Sequence, residues 1–554
     1  MLKQLSGLDS MFLYSENSRM PLEVSSLHIY DPSTAPNGLV RFKEVLATID
    51  NRLDHAGIFH RKILELPFSI DYPYWVDDEN FDIEYHVRHI ALPKPGDWRQ
   101  LMIQISRLQS RELDKSRPLW EAYIIEGLDN IKGLPKGSFA LYMKMHHATI
   151  DGVSGAALQA AIHDLEPIQA SAADYVPGKR SYSDAAPGTA TLLARSAINN
   201  IQKSAKLALG IGNAIPRLIK AKLANHDEQS RDVPATIFNR SRVTANRVID
   251  GRRFQLDELR DIAASVEGAK INDVALAVVS GAMRKYLEAK GDLPEETLVA
   301  GCPINIRSEN SAESDNMVSM MQTPLCTDVA DAKGRLQAIV RGSRNAKAFT
   351  EILGADTLAM IPMNMPAIIA SSLLPPLVNL GARMDSVPFN TLVSNVAGFQ
   401  KPLYFCGAKM VSLYGMGPVV DRVGLFHAIF SYNGAITFTF TACRDMLPDP
   451  GFYAECIQAS FDELRRATRK KAARKKSTRV NTAGTKKVLK KKTSKKVPQK
   501  TAAKKKVSKK KVPRKKAAKK EASEKTAQVK KSSKKKAPEK KASEKKAPAT
   551  KTQA

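Results

Sequence analysis

Alternation of apolar and polar positions is clearest at residues 138–145, where Phe139, Leu141, Met143 and Met145 share one side of an extended chain. The pattern predicts a strand that runs directly into His146. Behind it, Ala157, Ala161, Ile162 and Leu165 recur at helical spacing. Residues 146–152 therefore form a strand-to-helix connection, a place where rigid flanking elements commonly hold chemistry. Further on, Ile198, Ile201, Ala205 and Ala208 fall three, four and three apart, which predicts an amphipathic helix. Its polar side carries Arg195, Lys203 and Lys206, with Arg217, Lys220 and Lys222 beyond. Two readings stay open: the helix lies on an anionic membrane surface, or it packs on its own domains by its apolar face, as surface helices of globular proteins do.

From about residue 236 a second series begins, with strands at 298–307 and 435–443 and a helix over 272–287. Residues 357–382 contain no charged side chain, which raises the question of a membrane span. Pro362, Pro366, Pro375 and Pro376 argue against one continuous spanning helix. Short helices lining a lipid pocket or touching a bilayer interface are expected there, with a buried core segment as the alternative. At 554 residues the chain exceeds one ordinary core. The result is a mixed α/β (α+β) organisation: an N-terminal domain at 1–180, a helical connector at 181–235, a second domain at 236–465 and a tail at 466–554.

Charge changes this picture only at the tail. The net charge is +30, but residues 471–554 hold 35 of the 86 Lys and Arg and only four of the 56 Asp and Glu. The preceding 470 residues carry 51 basic against 52 acidic side chains, nearly neutral. The body is therefore not a nucleic-acid binder by charge, and the tail needs its own explanation. With almost no large apolar side chains, the tail cannot offset its ordering entropy and is expected to be disordered. Its repeated Lys, Ala and Pro can attract the phosphates of DNA or RNA, anionic lipid head groups or other acidic polymers without specificity; a solvated spacer is the alternative. Five cysteines (Cys302, Cys326, Cys406, Cys443 and Cys456) have no paired spacing, and the N-terminus has no apolar signal core. Both fit a cytoplasmic protein.

The densest candidate chemistry is His146-His147-Ala-Thr-Ile-Asp151-Gly152. An imidazole titrates near neutral pH, so it can take a hydroxyl proton during attack on a thioester and return it afterwards. Asp151 can hold the turn through backbone or Arg hydrogen bonds, and Gly152 leaves room for close approach of a substrate. Adjacent histidines can equally be satisfied core residues or metal ligands, although no further His or Cys cluster offers ligands at recognised spacing. Phosphate-loop, dinucleotide-binding and serine-elbow patterns are missing; Gly152-Val-Ser154-Gly155 lacks the GxSxG spacing.

With Pro118-Leu119-Trp120 about 26 residues upstream, this heptad resembles the bacterial wax ester synthase/diacylglycerol acyltransferases, relatives of chloramphenicol acetyltransferase and carnitine acyltransferases. The resemblance covers about residues 4–460. It includes LSGLDSMFLY at the start, Asn272-Asp273 opening a helix, PINIR ending at Arg307, SNVAG at 394–398 and SYNG at 431–434. It implies two chloramphenicol-acetyltransferase-like domains, with His147 as general base in a tunnel entered by acyl-CoA and alcohol from opposite sides. His146 and Asp151 would support its loop, Gly152 would leave room by the acyl donor, and Asn272 and Asp273 would hold the second domain's side. Plainer readings stand beside these: Asn272 as a helix cap, Pro118-Leu119-Trp120 as core packing, SNVAG as a turn. Gly424-Leu425-Phe426 departs from the family, which usually has Asn after the Leu.

The implied reaction transfers a fatty acyl group from acyl-CoA, a co-substrate, to diacylglycerol or a long-chain alcohol, with no bound cofactor or metal. The implied location is a membrane or lipid-inclusion surface. Two rivals remain: an amide-forming condensation domain, which shares HHxxxDG but would need carrier or adenylation regions that these 554 residues do not show, and an inactive inclusion-coating or nucleic-acid-binding protein acting through its tail.

Overall fold

Two six-stranded sheets carry the body of the computed structural model, which describes residues 3–53, 57–149, 161–168, 188–224, 233–305, 318–353, 363–381 and 387–489. The first sheet runs β12 (Tyr404–Phe405), β13 (Ala408–Met416), β2 (Glu23–Asp31), β7 (Phe139–His146), β6 (Trp120–Glu126) and β5 (Val87–Ala91). It is antiparallel except between β5 and β6. The second runs β10 (Val318–Pro324), β9 (Val299–Asn305), β11 (Thr391–Val396), β14 (Leu425–Tyr432), β15 (Ala435–Cys443) and β8 (Arg247–Gln255), with β11 parallel to both neighbours. A small sheet joins β1 (Lys3–Gln4), β4 (Tyr74–Asp77) and β3 (Arg61–Leu64).

Both faces of β7 are covered, which the alternation did not reveal. Phe139, Leu141 and Met143 pack in one core with Val45, Ile49 and Leu53 of the helix Phe42–Leu53. Ala140 and Tyr142 belong to another, with Leu101, Ile105 and Leu108 of the helix Trp98–Gln109. The polar members of this second face are satisfied from within. Tyr142 donates its hydroxyl to Gln109 Oε1 at 2.7 Å. The buried Lys144 ammonium donates to the carbonyls of Leu108 and Arg111 at 3.2 and 2.6 Å, satisfying acceptors that the end of that helix leaves open.

One feature differs from the sequence expectation. Strands β12 and β13, placed by sequence position in the second domain, complete the first sheet: β13 pairs with β2, and Phe405, Met410 and Leu413 join the core of Leu141 and Trp120. The C-terminal helix runs Pro450–Leu489. Residues 490–554 lie outside the described residues, as do Asp151, Gly152 and Arg307.

The uncharged segment gives a helix at Ala367–Gly381 with Pro375 and Pro376 inside it. No described helix is long and apolar enough to cross a membrane.

Candidate active site

β7 ends at His146 and turns at once into a short 3-10 segment, His147–Thr149. The turn is tied down on three sides. His146 N–H donates to Leu119 O and His147 N–H to Leu22 O, both at 3.0 Å. Thr149 Oγ1 donates to His146 O at 2.6 Å. The two imidazoles then take opposite environments.

His146 is buried, and its Nδ1 accepts the Ala148 N–H at 3.0 Å. The opposite edge of the ring, Nε2, lies 3.5 Å from Glu16 Oε2. His147 is partly accessible. Its ring stacks on Phe12 with centroids 4.0 Å apart and planes 20° from parallel. Nδ1 is buried with no hydrogen-bond partner among the described residues. Burial first, then the neighbouring His146, push its pKa down to about 4, against a smaller upward pull from its own backbone. At neutral pH it is an uncharged imidazole, the form that accepts a proton.

Glu16 was not singled out in the sequence, where it is one acidic residue after an apolar run. Its side chain is 1% exposed. Oε1 accepts the Leu22 N–H at 3.1 Å, and Lys115 Nζ lies 2.6 Å from Oε2. Burial alone would raise its pKa, but His146 and Lys115 outweigh it and hold the carboxyl at about 2. Thus one carboxylate anchors both Leu22, whose carbonyl holds His147, and the His146 ring. Beneath it Glu23, cross-strand from His146, is pushed up to about 7 chiefly by burial, opposed by Lys144.

Pro118-Leu119-Trp120 lies alongside this turn. Leu119 supplies the carbonyl that holds His146, and Trp120 pairs with Met145 across β6 and β7. The Trp120 indole donates to Phe59 O at 2.9 Å and stacks on His86 at 4.6 Å. The motif packs against the turn and positions it. Asn272 does not cap its helix, because that helix runs Ile271–Lys290 with Lys270 before it. Asp273 performs the capping role by accepting the Lys270 N–H at 2.8 Å. Asn272 Oδ1 instead accepts from Asn395 of SNVAG at 3.1 Å, so two motifs 123 positions apart meet at one end of the second sheet.

Among the described residues no group of three or more His, Cys, Asp or Glu is placed to hold a metal ion. A hollow lined by Val40, Ile124, Gly137 and Phe139 lies at the start of β7. Seven residues of strand separate Phe139 from His146, about 23 Å, so this hollow is not part of the histidine site.

The sequence profile of the wax ester synthase/diacylglycerol acyltransferase catalytic domain matches residues 5–275, and that of the family's C-terminal domain matches residues 314–465. The O-acyltransferase WSD of Acinetobacter baylyi is 31% identical over 454 residues, covering 81% of this chain and 93% of that protein. The chain belongs to the wax ester synthase/diacylglycerol acyltransferase family. It is an acyltransferase with the two-domain fold of CoA-dependent acyltransferases. A Mycobacterium tuberculosis protein assigned as a diacylglycerol O-acyltransferase is 32% identical over 474 residues, 84% of this chain and 99% of its own. The solved wax ester synthase/diacylglycerol acyltransferase of Marinobacter aquaeolei VT8 superimposes with a TM-score of 0.57 at 26% identity, covering 84% of this chain and all of that one. A trichothecene 15-O-acetyltransferase of Fusarium sporotrichioides, 12% identical with a TM-score of 0.50, shares the fold alone.

Proposed function

We propose that this family member transfers a fatty acyl group from acyl-CoA to diacylglycerol or a long-chain alcohol, with His147 as general base. The observation that carries this reading is the uncharged His147 imidazole, partly accessible and held by a turn tied down through its backbone and through the His146 ring. With Nδ1 enclosed, Nε2 is the nitrogen left to take the hydroxyl proton. The alcohol oxygen attacks the thioester carbonyl, the C–S bond breaks, and the proton passes from His147 to the departing CoA thiolate. Products are triacylglycerol or wax ester and free CoA, and no covalent enzyme intermediate is needed.

His146 and Glu16 act as positioning residues in this scheme. Asp151 and Gly152 would complete the loop on the acyl-donor side, while Asn272 and Asn395 would hold the opposite wall from the second sheet. The substrates place the enzyme at a membrane or lipid-inclusion surface. The tail adds nonspecific attraction to phosphate-bearing surfaces, lipid or DNA, which salt should weaken.

Purified protein supplied with palmitoyl-CoA and either diolein or hexadecanol should yield the matching neutral lipid by thin-layer chromatography. Formation of neither, with CoA release at the background rate, overturns the reading. Salt-dependent pelleting with vesicles, compared with a gel shift on DNA, ranks the tail's partners.

A further inference from the structure

The helix Thr189–Ala224 meets the body through Leu192 and a row of polar side chains and leaves an apolar stripe exposed. Leu192 and Ser196 are buried, and Asn199, Asn200 and Lys203 follow on the same face. Asn199 Nδ2 donates to Asp71 Oδ2 at 2.8 Å, and Asn200 Nδ2 donates to Ile70 O at 2.7 Å. Lys203 Nζ sits 4.0 Å over the Tyr72 ring. The opposite side presents Ile198 at 56%, Ile201 at 71% and Leu209 at 72% exposure. A helix that packs on its own domain buries its apolar stripe; here the Ile198–Ile201 stripe read from the sequence is the one left in solvent.

Two neighbouring segments continue this surface. Phe68 is 92% exposed at the tip of the turn Pro67–Ser69, in a left-handed conformation (φ 57°) that a bulky side chain rarely adopts. The helix Ala367–Gly381 touches that turn and exposes Ile368 and Leu373. Residues 70–74 link all three: Ile70 and Asp71 hold the long helix, and Tyr72 donates its hydroxyl to Met365 O at 2.7 Å, just before the other. Charge identifies the occupant. Residues 189–224 contain six Lys and Arg and no Asp or Glu. The exposed charges beside the apolar stripe are Arg195 and Lys206; an apolar face bordered by cations suits a layer of anionic head groups over acyl chains, and an aromatic at a fixed tip suits the boundary between them.

We propose that this face docks the protein on an anionic phospholipid surface, with helix Thr189–Ala224 lying in the head-group layer and Phe68 inserted as a wedge. The proposal rests on the reading of the chain as an enzyme of lipid substrates only for its purpose; its test does not require turnover. The full chain is floated with vesicles of phosphatidylglycerol and phosphatidylcholine at 0.1 and 0.5 M salt, the higher salt screening the tail's attraction. Trp is placed singly at the surface in Phe68→Trp and Ile201→Trp, and brominated phosphatidylcholine is used as quencher.

Both Trp variants should shift to shorter emission wavelength and be quenched on vesicle binding. An Ile198→Ser/Ile201→Ser/Leu209→Ser variant, its fold checked by circular dichroism, should bind vesicles at least tenfold more weakly at 0.5 M salt. Vesicle binding without quenching at either Trp overturns the proposal, because the tail alone would then hold the membrane. So does a triple variant that binds vesicles unchanged, or one that loses self-association in sedimentation instead, which would make the face an interface between copies. Quenching in a protein that releases no CoA would uphold the surface while removing the proposed reaction.

Discussion

Glu16 Oε2 stands 3.5 Å from Nε2 of His146, and Lys115 Nζ meets the same oxygen at 2.6 Å. The carboxylate faces one edge of the His146 ring while the other edge, through Nδ1, holds the Ala148 amide and the turn bearing His147. Glu16→Gln keeps the volume and the Leu22 contact but removes the charge. With the charge beside the ring gone, a loss of ~1.4 kcal/mol of orientation should lower kcat about tenfold with KM little changed. Glu16→Asp should recover part of the rate. Full activity in Glu16→Gln would detach this carboxylate from the mechanism.

The pH dependence of kcat/KM reports on the free enzyme's base. With His147 held at about 4, the rate should still be nearly full at pH 5.5, where an imidazole of ordinary pKa would be mostly protonated. Short assays at pH 4–8 with an acyl-CoA and a single alcohol give the midpoint. An acid limb centred at 6.5 or above would show that the base is not a buried imidazole.

Stability should respond to acid in a defined window. His28, His86, His147 and His427 are all held neutral by burial, with pKa values below the ordinary 6.5. The unfolded chain binds protons at these sites below about 6.5, while the folded chain binds them only at lower pH. Their contribution is therefore complete above pH ~6.5 and lost as pH falls toward 4. Glu23, held up to about 7, works in the other direction as pH rises from the ordinary carboxylate range to 7, and offsets one site of the four. The urea midpoint should be lower at pH 5 than at pH 7. An unchanged or higher midpoint would mean that these rings are charged or solvated in the native state.

Trp120 is 2% exposed and ties β6 to Phe59 and His86. Trp120→Ala should cost ~3–5 kcal/mol through the cavity it leaves. Trp120→Phe should cost ~1–3 kcal/mol, because the Phe59 carbonyl is left unpaired. Urea titration separates the two. A stable Trp120→Ala protein with lost activity would instead point to a direct part in catalysis.

The sequence read most clearly where one element carries one period. The strand into His146, the strand at 435–443 and the helix Ile271–Lys290 were legible from spacing alone, and the resemblance carried the family. Strand exchange was not, because β13 pairs with β2 nearly 400 positions away and its alternation says nothing about which sheet receives it. Glu16 was hidden for the same reason: its role depends on a histidine 130 residues later, and no local pattern marks a carboxylate that will be buried. The period of the long helix could not decide between a membrane surface and its own domain, because it marks an apolar stripe without saying what covers it; the structure leaves that stripe exposed.

Everything turns on His147. CoA release from an acyl-CoA and a long-chain alcohol, measured for wild type and for a folded His147→Ala variant, should fall by a factor of 10²–10⁴, the usual contribution of a positioned base. Equal rates in the two proteins would contradict the assignment of His147 as the group that takes the proton.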